Sequence, residues 1–157
     1  MGRGYRRIMT NDAPDLRDHV AVVTGSARGL GAATARRLAA CGADVVVTYR
    51  KNADMAEAVA ADVRAQGRRA WVHHLDLGEE ASVDALFDAV AADAGRVDIL
   101  VLNAAATSFR PLLDAERRHL ERTFAISVYG SLQCVQRAVA LMPESGGRIV
   151  AVSGADT

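Results

Sequence analysis

Aromatic side chains are scarce: Phe, Tyr and Trp make up 4% of the 157 residues. Stacking platforms for single-stranded nucleic acid need them, so that class is excluded. Neither sign of charge dominates, with 19 basic and 19 acidic residues, whereas a nucleic-acid binder carries an excess of positive charge. No apolar run reaches the ~18 residues of a membrane span. The arginine-bearing N-terminal stretch has no continuous apolar segment of the secretory kind. We therefore expect no nucleic-acid or membrane partner, and a cytoplasmic location. The two cysteines, Cys41 and Cys134, lie far apart and read as buried thiols in a reducing compartment. His73 and His74 have no carboxylate or cysteine at ligand spacing beside them, so no metal site is expected. Lysine is almost missing too, Lys51 being the sole one. With the many alanines, that arginine bias resembles the coding of a GC-rich bacterial genome.

What is present is organised around one stretch, HVAVVTGSARGLGAATARRLAA, from His19 to Ala40. The apolar run His19–Thr24 reads as a buried strand. Gly25, Gly29 and Gly31 follow in a tight turn, and Ala32–Ala40 reads as a helix. Glycines let a backbone turn sharply and approach a ligand closely, and a helix N-terminus offers unpaired N–H groups and a positive dipole end. Together they make an anion site. The spacing is G-x-x-x-G-x-G, not the commoner G-x-G-x-x-G.

The rest of the chain alternates strands and helices without a repeat. Residues 1–17 are polar and read as a loose tail, with residues 18–157 as one domain. Strands are predicted at Asp44–Tyr49, Ala70–Leu75, Val97–Leu102 and Arg148–Val152. Helices are predicted at Ala53–Ala65, with Asn52 as its cap, and at Glu79–Ala94. A long helix is predicted from Leu112 to Met142, with Leu120, Phe124, Val128, Leu132 and Val135 as its apolar stripe and Gly130 admitting another backbone. Gly42, Gly67 and Gly95 end helices. The continuous valine run of the second strand suits a parallel sheet covered on both faces. The fold class is α/β, a doubly wound parallel sheet built from right-handed crossovers. In such a sheet, ligands bind beyond the strand C-termini at the switch point. The glycine turn, Tyr49-Arg50-Lys51, Asp76 and Asn103 all follow strand ends and are expected to converge there.

These residues resemble the short-chain dehydrogenase/reductase family. Thr24–Gly31, TGSARGLG, resembles its TGxxxGxG cofactor turn. Asp76-Leu77 resembles the pair that holds an adenine ring. Asp98–Ala105, DILVLNAA, resembles the family's DILVNNAG, and Arg148–Ser153, RIVAVS, the strand leading to its catalytic serine. The resemblance implies a Rossmann-type sheet of five strands in the order 3-2-1-4-5 and a nicotinamide dinucleotide. It implies cofactor contacts at Gly25, Ser26, Arg28, Gly29, Leu30, Gly31, Tyr49, Arg50, Lys51, Asp76, Leu77, Asn103, Ala104 and Ala105. An NAD site places an acid about 20 residues beyond the turn, for the ribose hydroxyls. This chain has Arg50 and Lys51 there, and Arg28 before the second glycine, so we predict NADPH over NADH.

Departures from the family pattern narrow the activity. Ser127 stands where the family usually has a catalytic Asn, Gly154 where its catalytic Ser follows Ser153, and Leu102 and Ala105 alter the NNAG motif. Both catalytic changes remove groups that carbonyl-reducing members use. The segment Ile126-Ser127-Val128-Tyr129 and the NAA form of the motif resemble the enoyl-acyl-carrier-protein reductase branch. That implies an enoyl-thioester reductase of fatty-acid or polyketide type, with an acyl thioester as substrate. A ketoacyl or other carbonyl reductase is the alternative, and a non-catalytic NADP-binding or scaffold module the third reading. The family's Tyr and Lys pair has no counterpart before Thr157, so the chain is expected to be the cofactor-gripping part of a truncated or split enzyme, inactive alone. Oligomerisation through the 112–142 helix, or a missing C-terminal half as partner, is implied by the resemblance only.

Overall fold

The computed structural model describes residues 14–106 and 111–153; Gly154 lies outside them. The apolar run after His19 forms β1 (Val20–Val23), and its side chains alternate between two cores. Val20 and Val22 join a cluster with Leu86, Phe87, Leu100 and Cys134. Ala21 and Val23 join another, with Ala35, Val47, Val59 and Val101. A strand buried on both faces needs no polar alternation, which is why this segment reads as a continuous apolar run.

The other strands are β2 (Asp44–Tyr49), β3 (Ala70–His74), β4 (Ile99–Leu102) and β5 (Arg148–Ala151). They form a five-stranded sheet in the order β3-β2-β1-β4-β5, with every neighbouring pair parallel. Helices α1 (Gly29–Ala40) and α2 (Ala53–Ala65) cover one face; α3 (Glu80–Asp93), α4 (Arg117–Phe124) and α5 (Gly130–Ala140) are the others, and α3 and α5 supply the opposite core. The expected fold class and strand order hold. The chain leaves β1 toward β2 and β3, then returns to the other side of β1 as β4. The switch point therefore lies between β1 and β4.

Several expectations need correction. The helix predicted from Leu112 to Met142 is broken: a 3-10 turn at Leu112–Asp114, then α4, a π-helical turn at Ala125–Tyr129, and α5. Its predicted apolar stripe does not face the core. Leu120, Phe124, Val128 and Leu132 are 46–56% exposed, and only Val135 packs on the core. The buried line is instead Ile126, Gly130, Cys134 and Ala138. Both lines recur every four residues, offset by two positions, which places them on opposite sides of the helix. Small residues win the core side because the helix lies against backbone: a Cβ at Gly130 would sit well inside contact distance of the Leu77 carbonyl oxygen. Asn52 does not cap α2 through its side chain. The folded part begins before residue 18, since Leu16 packs on the α1/α2 core and its N–H donates to the Cys41 carbonyl at 2.7 Å.

At the N-terminal ends of the strands, two buried carboxylates tie loops to the sheet. Asp98 Oδ2 accepts from the Val20 N–H at 2.9 Å and from Arg96 Nε at 2.8 Å. Asp44 accepts from Arg69 through its backbone N–H and Nε, at 2.9 and 2.7 Å, and pairs with Arg68 at 2.8 Å. Burial pushes the Asp44 carboxyl up, but the Arg69 hydrogen bonds and the two guanidinium charges outweigh it and hold it below its ordinary value. Cys134 is fully buried, and burial pushes its thiol up to about 12, which fits the reading of an inert core thiol.

Gly130→Ala is expected to destabilise the protein by about 1–3 kcal/mol, because the added methyl meets the Leu77 backbone, which cannot move aside without shifting α5 from α3 and β4. A urea melt checks this, and an unchanged midpoint would contradict the close approach.

Candidate cofactor site

Beyond the C-terminal end of the sheet lies a cleft of ≈ 960 Å³. Its floor is the turn after β1. Gly25 and Gly29 adopt φ of +66° and +57°, a region that side chains disfavour. Gly31 has a different reason to be glycine: a Cβ there would meet the Gly25 carbonyl oxygen at 2.5 Å and Asn103 Nδ2 at 2.6 Å. Nothing lies within 4 Å of where a Cβ of Gly29 would point, so the turn is open at that residue.

Side chains from both flanking strands fix the turn. Thr24 is fully buried, and its Oγ1 accepts from the N–H groups of Asn103 and Ala104 at 2.9 and 3.0 Å. Asn103 Nδ2 donates back to the Thr24 carbonyl at 3.0 Å. On the other side, Thr48 Oγ1 accepts from the Gly25 N–H at 2.9 Å and donates to the Val23 carbonyl at 3.1 Å. Ser26 Oγ donates to the same carbonyl at 2.7 Å and accepts from the Thr48 N–H at 2.9 Å. Helix α1 starts at this turn with no acidic residue in its first turn and no side-chain cap at Arg28. Its N-terminal N–H groups and positive dipole end suit an anion.

Of the residues singled out in the sequence, Gly25, Arg28, Gly29, Tyr49, Arg50, Lys51, Asp76, Leu77, Asn103, Ala104 and Ala105 line this one cleft. Three do not. Ser26 and Gly31 are buried beneath the turn, and Leu30 is 61% exposed outside the cleft lining. Ser127 is also outside the lining; its Oγ accepts from the Ala106 N–H at 3.3 Å, so it fastens the segment after β4 to the π-helical turn. Tyr129 is 65% exposed and does not line the cleft.

Sequence reasoning missed Thr48, whose apolar surroundings gave no sign of its two bonds to the turn. It also missed His119, Arg122 and Thr123 of α4, which line the cleft but lie far along the chain in a segment without a motif. With Arg122 included, the described lining residues hold Arg28, Arg50, Lys51 and Arg122 against the single carboxylate of Asp76. Asp76 is itself partly engaged, its Oδ1 accepting from the Gly78 N–H at 2.9 Å. A cleft of this kind suits a ligand with several negative charges and an amino group for Asp76 to accept from. His73 does have a carboxylate nearby, Asp93 at 3.0 Å but out of hydrogen-bond geometry. Among the described residues no three His, Cys, Asp or Glu side chains group as a metal site.

Thr24→Val keeps the shape but leaves two backbone donors without their acceptor. Each is expected to cost about 1–3 kcal/mol. Chemical denaturation measures the loss, and a variant as stable as the parent would show that the hydroxyl does not hold the turn.

Comparison with known proteins agrees with this geometry. The short chain dehydrogenase family matches residues 19–156. A 1-cyclohexenylcarbonyl-CoA reductase from Streptomyces collinus is 42% identical over 137 residues, covering 87% of this chain and 49% of that protein. A short chain dehydrogenase from Burkholderia cenocepacia, solved in complex with NADP, superposes with a TM-score of 0.83 at 40% identity, over 87% of this chain and 56% of its own. The landomycin C-6 ketoreductase LanV, solved with bound NADP and rabelomycin, does so with a TM-score of 0.83 at 34% identity, over 89% and 59%. This chain thus spans about half the length of the curated relatives it matches. Glycine turn, strand order and family match coincide over the same residues, and the chain belongs to the short chain dehydrogenase family.

Proposed function

We propose that the cleft binds NADPH and that the enzyme carrying this chain reduces the double bond of an enoyl thioester. The cofactor reading is carried by the cationic end of β2: Arg50 and Lys51 occupy the place of the ribose-binding acid of NAD sites. In this reading the pyrophosphate lies over Gly29 at the start of α1, where the open turn leaves room for it. Arg50, Lys51 and Arg28 hold the 2′-phosphate. Asp76 accepts from the adenine amino group, with Leu77 and Ala104 against the ring. When bound, the cofactor supplies a hydride. The chain's own residues bind and orient it: Asn103 and Thr24 keep the β4 wall in place, and Ser127 fixes Ala106 beside it. The neighbours solved with NADP support the same reading.

The enoyl reading rests on Ser127 in the family's Asn position and on the similarity to a cyclohexenylcarbonyl-CoA reductase. In that reaction hydride goes to the β-carbon, the α-carbon takes a proton, and the developing enolate oxygen needs a donor. The alternative is carbonyl reduction, favoured by the likeness to LanV, named a ketoreductase.

Two measurements test the proposal. Fluorescence titration should show tighter binding of NADPH than of NADH. Arg50→Ala should then weaken NADPH by about 1.5–3 kcal/mol, the worth of a charge-assisted contact, with little effect on NADH. Equal affinity for the two reduced cofactors would sink the NADPH reading. For the reaction, protein made from the whole natural coding sequence should oxidise NADPH with 1-cyclohexenylcarbonyl-CoA. Turnover with a ketoacyl thioester alone would favour the carbonyl reductase. Binding of NADPH without turnover of either would favour a non-catalytic module.

A further inference from the structure

The wall of the cleft that bears Arg50 and Lys51 is braced from behind by a side chain that does not line the cleft. His74, the last residue of β3, places Nε2 3.1 Å from the Arg50 carbonyl oxygen. Its ring meets Tyr49 edge-on, with centroids 5.7 Å apart and planes at 79°. Its Nδ1 lies 3.4 Å from Ser82 Oγ, and that oxygen accepts from the Asp76 N–H at 2.9 Å. These partners assign the tautomer. A carbonyl oxygen only accepts, so Nε2 carries the proton and Nδ1 is left to accept from the Ser82 hydroxyl. One directed chain results, from the Asp76 N–H through Ser82 and His74 to the Arg50 carbonyl. It joins the turn after β2 to the turn after β3, and both turns line the cleft.

We propose that His74 is a positioning residue that sets the preference for a 2′-phosphorylated cofactor by holding the Arg50–Lys51 peptide. The proposal rests on the NADPH reading above. Arg50 and Lys51 are exposed and belong to no helix or strand, so no regular ladder orients the peptide between them. Peptides are planar, and the described chain has no cis bond. Holding the Arg50 carbonyl toward β3 therefore turns the Lys51 N–H to the opposite edge of the same peptide. It also fixes the point from which both cationic side chains start. NADH lacks the 2′-phosphate and draws nothing from that arrangement, so the ratio of the two affinities reports on it. A merely structural role for His74 would move both affinities together.

The test is equilibrium binding of NADPH and NADH to protein made from the whole natural coding sequence, read by nicotinamide fluorescence. His74→Leu should weaken NADPH about fivefold, the net worth of one hydrogen bond, and change NADH by less than about twofold. His74→Gln puts an amide N–H near the place of Nε2 and should restore NADPH binding to within about twofold of the parent. Ser82→Ala should loosen NADPH in the same direction, and it carries the test if His74→Leu does not fold. An unchanged NADPH-to-NADH ratio in the variants, beside a parent that prefers NADPH, overturns the role of His74 and leaves the cofactor reading standing. A parent that shows no preference for NADPH overturns both.

Discussion

Glycine's breadth of allowed conformations makes the turn after β1 possible and also leaves it underdetermined. Thr24, Ser26 and Thr48 remove that freedom. All three are fully buried, and their hydroxyls satisfy backbone groups that the turn pulls out of the sheet. The Val23 carbonyl receives both Ser26 and Thr48, and the Gly25 N–H is taken up by Thr48. Thr24 does the same for the strand on the other side, through the N–H groups of Asn103 and Ala104. A buried backbone donor without a partner costs enough that these three oxygens decide the path of the loop. The start of α1, and with it the direction of its N–H groups, follows from that path.

The packing below serves the same end. The α1/α2 face is built largely of Ala and Val: Ala32, Ala35 and Ala39 from α1, Ala56, Val59, Ala60 and Val63 from α2. Small side chains let α1 lie close on β1 and β2, and α2 on β2 and β3, so the N-terminus of α1 opens directly over the strand ends. On the opposite face the core is bulkier, with Leu86, Phe87 and Leu100. There α5 gains its closeness through Gly130 against Leu77. Leu77 is also a cleft residue. One glycine contact thus sets both the seat of a helix and a wall of the site.

Much of this was legible in the sequence because the signals are local. The valine runs, the glycines at helix ends and the turn after β1 each depend on a few adjacent residues, and strand order followed from the resemblance they carried. The long segment from Leu112 to Met142 was misread because periodicity alone does not say which of two apolar lines is buried. The bulky line, Leu120 to Leu132, looked like a core face, yet Gly130, Cys134 and Ala138 occupy it. The π-helical turn at Ala125–Tyr129 leaves no compositional mark. Most cleft residues on loops after strands were legible; Arg122 and His119 were not, since only the tertiary fold brings α4 to the cleft.

A formal net charge of zero conceals a local excess of positive charge at one end of the sheet. At the strand N-termini, Asp44 and Asp98 are buried and matched by Arg68, Arg69 and Arg96. At the C-terminal end, Arg28, Arg50, Lys51 and Arg122 face a cleft that holds one carboxylate among the described residues. Those cations come from segments well separated in the chain, so no basic run betrays them. A concave site lined by one sign of charge focuses its field and raises the local concentration of an oppositely charged ligand. The α1 dipole adds to it from below. The composition argued against a polyanionic macromolecule, whose binding needs a broad basic face. It is compatible with a small polyanion, because a few cations converging on one crevice need no excess anywhere else.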